Sequence, residues 1–346
     1  MSHSKFKELY FPMLKLPFPI IERAIRKLSA SDVFHFSLIS PEHLECVRLT
    51  TGHALSGAEI KFSVSSPEII EIEFKTVDFD RFFILVNDME KATSICENKD
   101  YVHEIDGIPM KITISNEKWT FAYVPSGLES KIALIKYCFE NLQCQGILLY
   151  FENYSHQISV YKPIIDIFKQ CQDLWIWRTS ETQSDDDMEQ FLSDIQISRQ
   201  FYFCGRASQS LELPLSVFNA KRVWIRSSIV ITREMLLSMN CEFAHFEQTH
   251  LTFKDFRAFV TNWFNSDGTR LKRLIVGKEI PGERRVRREI EIGALKLRKI
   301  PAQYIEPMGN GKTKILRADG TFAVVIFNRD LFDFRVSDEE VEFDRF

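Results

Sequence analysis

Gly311-Lys312-Thr313, within Met308-Gly-Asn-Gly-Lys-Thr313, is the spelling on which a phosphate-binding loop ends. Such a loop takes a further glycine five residues before Gly311, so that successive backbone N–H groups curl around the phosphate, and it then enters a helix. Glu306 stands at that position and a strand pattern follows, which makes the segment a turn before a hairpin. His245 and His250 lie five apart across a strand-to-loop junction without a nearby Cys or paired carboxylate to complete a metal shell, and read as packing or surface histidines. Cysteines at 46, 96, 138, 144, 171, 204 and 241 are odd in number and form no CxxC pair, the pattern of reduced, buried thiols rather than of disulfides or zinc. GxSxG, HExxH, HRD and DFG spellings are absent, so no catalytic, metal or cofactor residue is assigned.

Charge gives one more candidate. Arg270 to Lys299 carries eleven Lys or Arg against four Glu, including Arg284-Arg285 and Arg287-Arg288. That density is able to grip a phosphate backbone. No aromatic residues interleave the arginine pairs, and Asp330 to Phe346 holds seven acids against two Arg, so the segment reads as a solvated loop facing an acidic tail and nucleic acid is not the expected partner. Net charge over the 346 residues is −4, giving no global basic field. No run of about 18 apolar residues exists, and Lys15 with three prolines interrupts the apolar start, so neither a membrane span nor a secretory segment is expected and a cytoplasmic or nuclear location follows. Asn153-Tyr154-Ser155 is then a glycosylation sequon in spelling only. Thirty Phe against 13 Gly and 12 Pro exclude a disordered or collagen-like chain.

The elements that would carry a binding surface show in the apolar periods. Ile21, Ala24, Ile25 and Leu28 recur at helical spacing behind Pro19, which suits a first turn, and Val33, Phe36 and Ile39 follow behind Asp32. Some thirty residues cannot bury two such stripes alone; they must dock on the rest of the chain or on another protein. From about 44 to 125 the period becomes two, with Glu68 to Phe74, Tyr101 to Ile105 and Pro109 to Ile114 as strands and Asp106-Gly107 as a type I′ hairpin, read as an antiparallel meander. Ser126 with Glu129 spells a capping box for a helix burying Ile132, Ile135, Phe139 and Leu142. Beyond 145 short strands recur at Leu148/Tyr150, Leu174/Ile176, Phe201/Phe203, Val223/Ile225, Ala244/Phe246 and Leu274/Val276, at intervals of 26, 27, 22, 21 and 30 residues. Helical stretches, among them Asp185 to Gln196, Thr232 to Met239 and Thr252 to Phe264, separate them; the last has Phe253, Phe256, Phe259, Val260 and Trp263 on one side. A strand and a helix per unit is the layout of leucine-rich-repeat solenoids, with a non-repetitive α/β domain as the alternative. Asn153, Thr179, Ser228 and Thr249 occupy the position where such repeats place asparagine. Lys312 to Arg317 and Thr321 to Phe327 flank a hairpin turn, and the acidic segment from Asp330 is expected to fray.

Phe11-Pro-Met-Leu-Lys-Leu-Pro-Phe-Pro-Ile-Ile-Glu-Arg-Ala-Ile-Arg-Lys-Leu28, followed by Asp32-Val-Phe-His-Phe-Ser-Leu38, resembles an F-box, and more narrowly the expanded nematode F-box family. Val223-Trp-Ile-Arg-Ser-Ser228, Leu236-Leu-Ser-Met-Asn-Cys241 and Leu251-Thr-Phe-Lys-Asp-Phe256 with Trp263 are similar to the type-2 F-box-associated domain found beside F-boxes in that family. Ile315-Leu-Arg-Ala-Asp-Gly-Thr-Phe-Ala323 resembles its closing hairpin. The family continues its helix past the serine, whereas Ser40-Pro41-Glu42-His43 stops it here.

The expected fold class is therefore α/β, α+β overall. It comprises a helical F-box at 8–45, an antiparallel β linker domain at 46–125, a leucine-rich-repeat-like α/β region at 126–300 holding the associated domain at about 200–265, and a C-terminal hairpin with acidic tail at 301–346. The resemblance implies a non-enzymatic substrate-recognition subunit of a cullin-based ubiquitin ligase. In it Leu16, Pro17, Ile20, Ile21, Ile25, Leu28, Val33 and Phe36 would bind the Skp adaptor and the repeat region would hold a protein substrate. A repeat scaffold whose box packs only internally is the alternative.

Overall fold

The computed structural model describes residues 11–56, 58–66, 69–76, 81–89, 101–115, 118–144, 146–152, 158–167, 170–178, 184–205, 211–227, 229–247, 249–266, 270–277, 297, 299–309, 312–328 and 331–337. The sequon at 153–155, Cys96, Thr179, Ser228, the arginine pairs at 284–288, Gly311 and the acidic residues from 338 onward lie outside the described residues. The fold is of the α/β class and divides into two compact units, one of residues 1–156 with 160–171 and one of 157–159 with 172–346.

The first unit opens with helices α1 (Phe18–Ile25), α2 (Ala30–Ser37) and α3 (Pro41–Leu49). Pro19 sits in the first turn of α1, where a missing N–H costs nothing. Ser29 caps α2, its hydroxyl accepting from the Asp32 N–H at 3.2 Å. Pro41 ends one helix by starting the next, at the first turn of α3, so the chain forms a third helix where an early stop was expected. Strands β1 (Glu59–Ser66), β2 (Ile69–Lys75), β3 (Arg81–Asp88), β4 (Tyr101–Ile105), β5 (Ile108–Ile114) and β6 (Trp119–Val124) follow, then α4 (Leu128–Asn141), β7 (Gly146–Glu152) and α5 (Lys162–Ile167).

The sheet order in this unit is β7-β1-β2-β3-β6-β5-β4. Its Asp106-Gly107 turn has φ of 51° and 76°, as a type I′ turn demands. The expected meander is corrected in two places: β3 pairs parallel with β6, and β1 pairs parallel with β7. Alternation marks a strand but not its partner, and the β4–β5 hairpin, formed between β3 and β6 in sequence, lies outermost in the sheet.

Both N-terminal stripes bury against their own unit. Val33, Phe34 and Phe36 are fully buried and His35 nearly so, which requires cover all around α2. Phe34 lies 5.5 Å from the Phe82 ring on β3, and His35 Nε2 is 3.1 Å from Thr120 Oγ1 on β6. Tyr137 donates to Ser37 Oγ at 2.8 Å and Arg48 Nε to Asn141 Oδ1 at 2.8 Å, tying α2 and α3 to α4. Cover by both sheet and helices explains why α4 buries Ala133, Leu134, Ile135, Cys138, Asn141 and Leu142, leaving Ile132 and Phe139 only half-buried, contrary to the single face expected. Gly127, at φ 124°, precedes α4 in place of a side-chain cap.

The second unit starts in β8 (Gln170–Arg178), from Gln172 on, and continues through α6 (Asp185–Asp194), β9 (Gln196–Gly205), β10 (Arg222–Arg226), α7 (Arg233–Ser238), β11 (Phe243–Glu247), α8 (Phe253–Asn265) and β12 (Arg273–Gly277). It ends in β13 (Ile305–Gly309), β14 (Lys312–Leu316), β15 (Phe322–Asn328) and β16 (Leu331–Ser337). Strands β9, β10, β11 and β12 pair parallel, and β16, β15, β14 and β13 extend the sheet antiparallel from β12. Leu174, Ile176, Phe201, Phe203, Val223, Ile225, Ala244, Phe246, Leu274 and Val276 are all buried, in the phase the sequence pattern implies. In β7 the phase is the opposite one: Ile147, Leu149 and Phe151 are buried while Leu148 and Tyr150 are half-exposed. The frayed tail is also corrected. Residues 331–337 form β16, inserted between β15 and β12. Phe332 and Phe334 supply the reason, meeting Phe256 at 4.3 Å and Phe259 at 5.1 Å under α8. Asp333, 1% exposed, is held by Arg273 at 3.0 Å and Arg335 at 2.6 Å.

His53, in the loop after α3, accepts from the Leu55 N–H through Nδ1 at 3.1 Å, and burial pushes its pKa from 6.5 down to about 4. The folded chain refuses a proton that the unfolded chain accepts between those values, so this group's contribution is present above pH 6.5 and lost as pH falls toward 4. His53→Gln should therefore show a smaller drop in thermal midpoint than wild type between about pH 7 and about pH 4.5, measured by circular dichroism; parallel pH profiles would contradict this assignment.

Candidate functional site

Strand alternation in the second unit sends one residue of each pair under the helices and the other to the opposite face. In β9, β10 and β11 the outward residues at one level are Tyr202, Trp224 and His245, which the register places side by side. Their rings are 6.0 Å apart between Tyr202 and Trp224 and 4.8 Å between Trp224 and His245. Trp175 extends the row, 5.1 Å from Tyr202, and Trp177 is exposed beside it at 6.5 Å from the same ring.

Charged pairs frame this row. Arg226 Nε meets Glu247 at 3.1 Å, across the β10–β11 pairing. The pKa of Arg226 is pushed up by a hydrogen bond with Tyr202 and by Glu247. His245 is 3.8 Å from Glu247, yet burial is the largest influence on it and lowers its pKa, with Arg226 and Arg273 acting in the same sense, so it is neutral near pH 7. Tyr202 is pushed up first by burial and stays protonated.

Below Trp224 lies a groove of about 520 Å³ lined by Gln200, Lys221, Arg222, Trp224, Glu242, Phe243 and Lys272. Lys221 and Lys272 approach Glu242 at 3.6 and 3.8 Å. The indole Nε1 of Trp224 is buried with no hydrogen-bond partner among the described residues. A buried donor left unmade costs about 1–3 kcal/mol, and a ligand acceptor reaching it would recover that. Aromatic rings with arginine at their edge are the composition of protein-binding hot spots rather than of a reaction centre. Among the described residues no group of three or more His, Cys, Asp or Glu is placed to hold a metal ion. His245 thus packs within the aromatic row, while His250 is exposed.

The N-terminal helices give a second surface. Of the eight residues singled out there, Leu16 (44% exposed), Pro17 and Ile20 (50%) are on the surface, and Leu28 is half-buried. Ile21, Ile25, Val33 and Phe36 are buried inside the unit. Phe18 at 37% joins the exposed group, and Leu49 on α3 is exposed as well. All five residues 16–20, Leu16, Pro17, Phe18, Pro19 and Ile20, are apolar and exposed at the start of α1.

The apolar pattern marked the buried halves of both regions but not the aromatic row. The residues between the apolar pairs, Tyr202, Trp224 and His245, carried the signal: a solvated sheet face would place small polar residues there, not rings.

Trp224→Phe should shift the unfolding free energy by less than about 1 kcal/mol, because it also removes the orphaned N–H. Phe246→Ala, one residue further along the neighbouring strand and buried, should cost about 3–5 kcal/mol. Urea denaturation measures both, and comparable losses would show that Trp224 points into the core.

Residues 215–276, which run from the turn before β10 into β12 and include Trp224 and His245, match the family model described as F-box associated. No curated protein and no solved structure matches the chain.

Proposed function

We propose that the chain is the substrate-recognition subunit of a cullin-based ubiquitin ligase, with no catalytic step of its own. The single observation that carries this reading is the F-box-associated match over residues 215–276, which supply Trp224 and His245 of the aromatic row. In this reading the Skp adaptor binds the N-terminal box, the protein substrate binds the row at Trp175, Tyr202, Trp224 and His245, and ubiquitin transfer belongs to other subunits. Location is cytoplasmic or nuclear; no helix among the described residues is long and apolar enough to cross a membrane.

Burial divides the adaptor set by role. Leu16, Pro17 and Ile20, with Phe18, make the contact, since an apolar cluster in the open is what a partner can cover. Ile21, Ile25, Val33 and Phe36, with Leu28 at the margin, hold α1 and α2 in place beneath it. A second reading, a repeat scaffold whose box packs only internally, is favoured by those same four buried residues.

Pull-down with the Skp adaptor separates the two. Leu16→Asp with Ile20→Asp should reduce recovery by about tenfold or more while leaving the thermal midpoint within about 2 °C, because both side chains start in solvent. Recovery equal to wild type, or no recovery of wild type, would sink the docking role. Ile25→Asp is not a clean probe, since a carboxylate at a fully buried position unfolds the helices.

A further inference from the structure

On the helical side of the second unit, α7, α8 and Lys299 enclose a cleft of about 560 Å³, lined by Arg233, Leu237, Lys254, Arg257, Ala258, Thr261, Asn262, Asn265 and Lys299. Four of these side chains are cationic, two are amides and one is a hydroxyl; no carboxylate lines the cleft. Among the described residues none of the four cations forms a salt bridge, in a unit where Arg199, Lys221, Arg226, Lys272, Arg273, Arg317 and Arg335 all do. Arg257 is half-buried and its Nε is buried without a hydrogen-bond partner.

Four like charges lining one space with no carboxylate among them give it a positive potential, screened by water at the exposed Arg233, Lys254 and Lys299 and least at the half-buried Arg257. The unmade bond at Arg257 carries a cost, since a buried charged donor is the most expensive kind to leave unsatisfied. Lys254, Arg257 with Ala258, Thr261 with Asn262, and Asn265 follow one another at helical spacing along the outer side of α8. The opposite side of the same helix, at Phe256, Phe259, Val260 and Trp263, is buried in the core. Lys254 and Arg257 are thus presented by a helix whose position is fixed by aromatic packing.

We propose that this cleft binds a small ligand bearing two or more phosphate groups. A single carboxylate leaves three cations uncompensated, whereas two phosphates carry about three to four negative charges near neutral pH and match the set. Guanidinium forks at Arg233 and Arg257 take phosphate oxygens in pairs, Lys254 and Lys299 add point charges, and the amides of Asn262 and Asn265 supply neutral donors. Leu237 and Ala258 give a short apolar floor for the body of the ligand. The volume lies in the range of small-molecule sites, and with a net charge of −4 the chain lacks the extended basic field that a nucleic-acid duplex would need. The site is separate from the aromatic row and does not depend on the receptor reading.

Titration calorimetry of the full chain with inorganic tripolyphosphate, at about 0.15 M salt, tests this directly. A saturable one-site isotherm is expected. Arg257→Lys, which keeps the charge but loses the buried Nε–H, should weaken binding about tenfold, and Arg233→Gln with Lys254→Gln at least as much. Lys312→Gln with Lys314→Gln, which removes the same charge elsewhere on the unit, should leave it unchanged. All of these alter side chains exposed or half-buried in solvent, so thermal midpoints close to wild type confirm that folding is intact. Absence of saturable heat, unaltered binding by Arg257→Lys, or equal weakening by the control pair would overturn the site. Tighter binding of a phosphoserine peptide than of tripolyphosphate would overturn the small-ligand assignment.

Discussion

A two-residue period with one face committed to the core governs everything the second unit can do. Phe201 and Phe203, Val223 and Ile225, Ala244 and Phe246, and Leu274 and Val276 are buried in four parallel strands. A slip of one residue in any of them would exchange its faces, so the phase is strongly specified. Tyr202, Trp224 and His245 are thereby sent to the opposite face, where Tyr202 is buried and Trp224 and His245 are half-buried, and the parallel register sets them level. The aromatic row is the remainder left by core packing, which is why Trp175, Tyr202, Trp224 and His245 come from four separate strands.

The unit closes at its far edge by a different device. Phe332 and Phe334 sit beneath α8 against Phe256, Phe259 and Trp263, and Phe327 packs against Phe253 at 4.5 Å. Asp333, between the two phenylalanines, points to the other face and is neutralised there by Arg273 and Arg335. Removing either arginine would leave a carboxylate buried with half its compensation, a larger penalty than the ion pair's net worth. The abundance of phenylalanine in this chain is concentrated in such layers, where a ring covers more apolar area per residue than any aliphatic side chain.

Legibility in the sequence followed how unambiguous the local period was. Helices α6, α7 and α8 were readable because their apolar residues are separated by polar ones and bounded by caps such as Thr252, whose N–H and hydroxyl both reach Asp255, and the strands from β8 to β12 because they are short apolar runs such as Val223-Trp-Ile225 between Arg222 and Arg226. In β7, Ile147-Leu148-Leu149-Tyr150-Phe151 is apolar throughout, so no period distinguishes its faces and the phase came out reversed. β16 was hidden because Asp333 and its neighbours read as an acidic tail; only the tertiary partners Arg273 and Arg335 make burial tolerable. The pairing of β3 with β6 left no local trace either. At the candidate site, the buried residues of each strand were visible, but the outward aromatic row required knowing which strands are neighbours. The cationic cleft likewise joins α7, α8 and Lys299, which no spacing rule connects.

The proposed function assigns the two units different work: adaptor docking at the exposed start of α1 in the first, substrate recognition at the aromatic row in the second. Hydrogen–deuterium exchange of the full chain with and without the Skp adaptor tests that division most directly. The account predicts slowed exchange in residues 13–28 and in the neighbouring end of α3, with strands β9 to β12 unchanged. Protection centred on β9 to β12, or no protection in the N-terminal helices at saturating adaptor, would contradict it.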